Sequence, residues 1–193
     1  MKSRMSNNNS NTLQTNTRTD FYHIKRLRHL FCAVVLIIID QLTKYFARTS
    51  FSDGSDYLFI PKIIRFVLHK NTGAMWGIFS DTKNSVIYLT LATVIILSLI
   101  LFVYFHIPDT KKYTPLLWII VFVFSGAIGN LIDRIFLQYV TDFICTEFIN
   151  FPVFNVADCY ITVSVFVLCY LILFHYTDSD LDFLSFKKHK STK

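Results

Sequence analysis

Two aspartates, Asp142 in the run VTDFI and Asp158 in the run FNVAD, lie beside stretches that are otherwise almost free of charge. An ionisable group at a membrane span is costly and marks a functional site by default. Two carboxylates held close together resist double ionisation, so one keeps a proton and the pair becomes an acid beside a base. Such a pair can activate a water and polarise a carbonyl together, which is what adding water to a peptide bond requires. Further candidate positions recur in short runs: Asp40 and Lys44 in DQLTK, Asn71 and Gly73 in NTGAMWG, Asn130, Asp133 and Arg134 in GAIGNLIDR, and Asn155 and Ala157 just before Asp158. Other chemistries are poorly served. No GxSxG, HExxH or CxxC is present, and the histidines are scattered at positions 23, 29, 69, 106, 175 and 189. Neither a metal nor a cofactor is expected.

The elements that must position these residues are membrane spans. Of 193 residues 53% are hydrophobic and 17% charged, with 20 phenylalanines. This composition predicts a polytopic membrane protein with one compact bundle. Four apolar segments stand out, at about 30–46, 84–105, 113–136 and 156–176. About 20 residues of helix cross the hydrocarbon layer, and lipid leaves no backbone group unpaired, so the spans are helices. Residues 1–28 are polar and rich in Asn, Ser and Thr, which predicts a disordered cytoplasmic extension. Residues 29–176 form the transmembrane domain, and 177–193 a cytoplasmic tail. Twelve Lys and Arg lie on the side that carries both termini and five on the other, so both termini are expected in the cytoplasm. The basic residues flank spans, which points to membrane lipids rather than nucleic acid as their partners.

Depth then groups the polar residues. The first span runs outward and puts Asp40 about 15 Å beyond Leu30. The third also runs outward, bringing Asn130, Asp133 and Arg134 to its outer end, where Asp142 and the outward start of the fourth span meet them. The loop at 48–83 alternates apolar and polar residues around 57–68, with Pro61 interrupting, and predicts short strands at the membrane surface. His69 reads as an interfacial loop residue.

Taken singly, each position also has a structural reading. Asp40 and Lys44, at i and i+4, share a helix face and can neutralise one another in lipid. Gly126 and Gly129 permit close helix approach. Arg134, on the face of Asn130, can hold an anionic headgroup or orient a carboxylate. Asp133, about 100° around the helix, reads as structural. Asp158 can serve as the acidic residue of a helix N-terminus, and Asp142 as a solvated loop residue. Asn155 can bond a catalytic carboxylate or a substrate backbone. Cys145 and Cys159 flank the loop between the aspartates and read as free thiols, although a disulfide there remains open.

In order, DQLTK, NTGAMWG, GAIGNLIDR, VTDFI and FNVAD resemble the lipoprotein signal peptidase family, also called signal peptidase II, across about 37–162. The resemblance implies an all-α fold of four transmembrane helices with a small extracytoplasmic β-cradle and a short helix over the site. It implies an inner-membrane aspartic endopeptidase that cleaves signal peptides from diacylglyceryl-modified bacterial prolipoproteins. Motif by motif, Asp142 and Asp158 are the catalytic pair. Asp40, Lys44, Asn71, Gly73, Asn130, Arg134, Asn155 and Ala157 shape the site or contact the substrate. A monomer without a cofactor is expected, with the site near the outer leaflet. Met75 and Trp76 depart from residues common in the family. Two rival readings are a small proton-coupled transporter and a noncatalytic membrane subunit. A carrier would favour midplane charges and internal repeats, and neither is visible here.

Overall fold

The structure, a computed structural model, describes residues 2–51, 55–73, 84–149 and 151–184, with side chains over 24–183 of these. The chain order is α1 (Lys2–Ser50), β1 (Asp56–Ile60), β2 (Ile64–Asn71), α2 (Ser85–His106), α3 (Thr114–Leu137), β3 (Val140–Thr146) and α4 (Val156–Phe174). Four helical segments are long and apolar enough to cross a membrane: Ile24–Ser50, Ser85–His106, Lys111–Leu137 and Val156–Phe174. These match the four segments expected, and the first is longer at both ends. Its polar ends extend a helix whose middle is apolar. The backbone is helical from Lys2, whereas composition argued for disorder over 1–28.

α3 is the most buried span and packs against α1, α2 and α4. The outward faces of the others carry large exposed apolar side chains, among them Phe31, Leu42, Leu91, Leu99, Phe166 and Leu173. On this scale such exposure marks a surface that meets lipid. Hydroxyls on the spans turn back on their own helices: Thr90, Thr93, Ser98 and Ser125 each donate to the carbonyl four residues earlier. That satisfies groups for which hydrocarbon offers no partner.

One end of the bundle is closed by an apolar cluster of Ile107, Leu116, Leu117, Ile119, Leu171 and Tyr176, against which Leu181 and Phe183 pack from a 3-10 turn at Asp178–Leu184. The other end carries an antiparallel sheet in the order β1-β2-β3. Pro61 falls in the turn between β1 and β2, as its missing N–H requires. β2 and β3 pair Asn71 with Val140 and His69 with Asp142, with an irregularity between Phe66 and His69. His69 is therefore an exposed strand residue rather than part of a loop, because strand β2 runs on to Asn71. A break in a ladder is a common way to re-aim side chains beside a site. The four cysteines are free. The implied short helix over the site is not among the described residues, and Met75 and Trp76 also lie outside them.

Candidate active site

The polar site is built where α1, α3 and α4 converge beneath the sheet. Convergence needs small residues. A Cβ on Gly126 would lie 2.6 Å from the Ala157 carbonyl oxygen, and one on Gly129 would collide with the Asp40 carboxylate. The Asp40 and Lys44 side chains are both 0% exposed and lie 3.0 Å apart, so the i, i+4 ion pair expected on α1 is present. It also organises its neighbours. Asp40 Oδ1 accepts from the Ala157 N–H at 3.0 Å and so caps the start of α4 from another helix. Lys44 Nζ donates to Asn130 Oδ1 at 2.8 Å and lies 3.6 Å from Asp133.

Asp133, about 100° around α3 from Arg134, is bonded to the backbone of β3. Its Oδ2 accepts from the Thr141 N–H at 2.8 Å, and Arg48 donates to the Thr141 hydroxyl at 2.9 Å. These bonds fasten the start of β3 to α3 and α1, and thereby locate the next residue, Asp142.

Asp158 occupies the first turn of α4. The Asn155 side chain accepts from the Asp158 N–H at 3.1 Å, and the Asp158 carboxylate accepts from the Asn155 N–H at 3.1 Å, a reciprocal capping box. The helix N-terminus favours a negative charge at this position.

Three asparagines connect the carboxylates, and their orientation follows from their partners. Asn155 Oδ1 is held by the Asp158 N–H, Asn71 Oδ1 by the Gly73 N–H at 2.9 Å, and Asn130 Oδ1 by the Lys44 ammonium. Each carbonyl oxygen faces an obligate donor, so each amide must turn its NH2 the other way. The NH2 of Asn71 reaches Asp142 at 2.8 Å, that of Asn155 reaches Asp142 at 2.7 Å, and that of Asn130 reaches Asp158 at 2.9 Å. Asn155 also donates to Asn130 at 3.2 Å, which links the two halves. Burial pushes the Asp142 carboxyl up to about 7; the charge of Asp158 adds to this, while the amides of Asn71 and Asn155 pull against it.

Asn71, Gly73, Asn130, Arg134, Asp142 and Asp158 line one cavity of about 70 Å³, together with Val140 and residues 151–154. One water needs roughly 10–15 Å³ of such space, so several fit. All ten positions implied by the resemblance therefore belong to one connected site: six line the cavity, and Asp40, Lys44, Asn155 and Ala157 form the scaffold behind it. Sequence reading passed over Gln41, which bonds both Asp40 and the Gly129 carbonyl, and also Arg48 and Thr141. Gln41 sits inside DQLTK, one residue from an ionisable group on an apolar span, and that adjacency was the available signal. No group of metal-ligating side chains occurs among the described residues.

Fold and site together define a class: a multi-pass membrane protein with a buried polar centre at one end of a four-helix bundle, bordered by a small sheet. A family model for signal peptidase (SPase) II matches residues 32–174. The chain belongs to that family, and it is a peptidase. It is similar to the lipoprotein signal peptidase of Staphylococcus carnosus (strain TM300), 35% identical over 147 residues, covering 75% of this chain and 89% of that one. It is likewise similar to that of Staphylococcus aureus (strain JH9), 37% identical over 146 residues, covering 75% and 86%. Among solved structures it is similar to a bacterial membrane enzyme determined by the in meso method at 2.3 Å resolution. That match has 34% identity and a TM-score of 0.66, covering 86% of this chain and 94% of the other. Family membership displaces the transporter and subunit readings.

Proposed function

We propose that this protein is an aspartic endopeptidase that removes signal peptides from diacylglyceryl-modified bacterial prolipoproteins, with Asp142 and Asp158 as its catalytic pair. The observation that carries the reading is the shared cavity: both carboxylates line it, and both are bonded to Asn155. Burial raises the Asp142 carboxyl to about 7, so Asp142 takes the part of the acid in this mechanism and Asp158 that of the base. Asp158 takes a proton from a water in the cavity as that water adds to the scissile carbonyl. Asp142 donates its proton to the carbonyl oxygen, giving a neutral gem-diol. Collapse of the gem-diol breaks the C–N bond. The nitrogen takes the proton held by Asp158, and a gem-diol hydroxyl returns one to Asp142, so the starting protonation is restored. No covalent intermediate forms.

Arg134 lines the same cavity and supplies a cation for the substrate backbone or its lipid headgroup. The protein works as a monomer with both termini in the cytoplasm and the site near the outer leaflet. There the acyl chains of the substrate stay in lipid while the cleavage site reaches the aspartates. The test is cleavage of a diacylated prolipoprotein by wild type, Asp142→Asn and Asp158→Asn in matched membrane amounts. Both variants should lose cleavage while remaining folded. Full activity in either would remove the pair from the chemistry.

A further inference from the structure

A second cavity lies at the opposite end of the bundle. α1 and α2 pack mainly on α3, leaving a cleft between them of about 290 Å³. This is at the lower edge of the ~300–1,000 Å³ typical of small-molecule sites. Along α1 it sits some 15 residues before Lys44, about 22 Å from the carboxylate site. It is lined by Val121 and Phe124 of α3 and by Leu30 and Phe105, whose side chains are largely exposed on the apolar flanks of α1 and α2.

The polar end of the cleft is built for a ligand. His29 is 4% exposed and lines the cavity. Its Nδ1 is 2.9 Å from the Tyr104 hydroxyl, while its buried Nε2 meets no hydrogen-bonding atom. A buried, unsatisfied ring nitrogen is rare and calls for a partner. At the rim the Arg26 guanidinium lies 4.8 Å from the centre of the Tyr104 ring and 4.7 Å from that of Phe105. Among the described residues Lys25 and Arg28 flank it, and Asp109 pairs with Lys25 at 3.0 Å.

We propose that this cleft binds one anionic glycerophospholipid, with an acyl chain between α1 and α2, the phosphate at Arg26, and an ester carbonyl accepting from His29 Nε2. The Tyr104 hydroxyl then donates to Nδ1, which leaves the ring proton on Nε2. An apolar slot flanked by exposed apolar side chains, ending in a buried donor and a cationic rim, matches this lipid class group by group.

The test uses the full chain reconstituted in phosphatidylcholine nanodiscs and titrated with phosphatidylglycerol of the same acyl composition. Lipid retention by native mass spectrometry and unfolding temperature are read together. Wild type should retain one phosphatidylglycerol and gain stability from it. Arg26→Gln should weaken retention roughly fivefold, the loss of one basic residue at an anionic headgroup. His29→Phe, which keeps the ring and removes the donor, should weaken it further. Should His29→Phe fail to fold, Arg26→Gln at the rim decides alone. Retention by Arg26→Gln equal to wild type overturns the proposal. So does equal retention of phosphatidylcholine, and so does equal stabilisation by free glycerol phosphate, which would indicate a bare anion site.

Discussion

Asn71→Ala separates an electrostatic role for the asparagines from a merely structural one. Two amide N–H groups hold down the proton affinity of Asp142, from Asn71 at 2.8 Å and Asn155 at 2.7 Å, against burial and the charge of Asp158. Hydrogen bonds to a charged group contribute about 1.5–3 kcal/mol. At about 1.36 kcal/mol per pKa unit, losing one donor raises Asp142 by about one to two units. The sign follows from the proposed mechanism. Asp142 is the acid and works only while protonated, so activity falls as pH rises through its pKa near 7. A higher pKa keeps the proton to higher pH. The variant should therefore cleave more slowly at its optimum, yet the alkaline limb of its pH–rate profile should move up by about one to two pH units. The assay is the initial rate of cleavage of a diacylated prolipoprotein in bicelles across the neutral and alkaline range. Ser85→Ala is the control: it releases the Thr72 carbonyl beside Asn71, at 2.9 Å, without touching the carboxylate. Its alkaline limb should stay in place. An Asn71→Ala limb that stays put, or that moves to lower pH, would refute the reasoning.

Other perturbations probe the scaffold and the substrate. Lys44→Met leaves Asp40 and Asp133 buried without their shared cation, and thermal unfolding in detergent should show a loss of about 3–5 kcal/mol; adding Asp40→Asn and Asp133→Asn should recover much of it. Gly129→Ala places a methyl against the Asp40 carboxylate, and overpacking of this kind costs about 1–3 kcal/mol, visible as a lower Tm and lower activity together. An unlipidated substrate peptide should be cleaved far more slowly than its diacylated form, since each CH2 left in lipid contributes about 0.8 kcal/mol to anchoring; equal rates would place substrate recognition in the peptide alone.

How much of this was legible in the chain depends on the range of the interaction. The spans were readable because membrane solvation acts on every residue of a segment, so apolar runs alone place four helices. The Asp40–Lys44 pair was readable because i, i+4 is fixed by helix geometry. The convergence of four of the five motifs was readable as depth, since the rise per residue is constant, whereas Asn71 and Gly73 lie between the first two spans, in a stretch that helix rise does not place. The partners of Asp133 were not. Its bonds run to a backbone N–H on β3 and toward cations on α1, and nothing local specifies a backbone partner. Gln41 was passed over for the same reason: its bond to the Gly129 carbonyl joins helices 88 residues apart in sequence. The orientation of each asparagine was equally hidden, because it is decided by which donor reaches its oxygen after the helices have packed. His29 looked like one scattered histidine until packing left its Nε2 without a partner.

The polar layer also has a charge count that bears on the chemistry. Asp40, Asp133, Asp142 and Asp158 face Lys44, Arg48 and Arg134. Four carboxylates against three cations leave one negative charge in a region walled by apolar helices, and an uncompensated charge there is expensive. One proton restores neutrality. Lys44 and Arg48 neutralise the Asp40 and Asp133 side of the layer, so the proton falls to the Asp142 and Asp158 side, where Arg134 is the only cation lining the cavity among the described residues. The scaffold and the two cavity carboxylates are thus one electrostatic unit. The singly protonated state that an acid–base mechanism needs is the state the surrounding charges already favour. Arg134→Gln removes a cation and makes a second proton favourable, so the acidic limb of the pH–rate profile should move to higher pH. An acidic limb that stays in place would show that Arg134 contributes no field to the pair and serves only to hold the substrate.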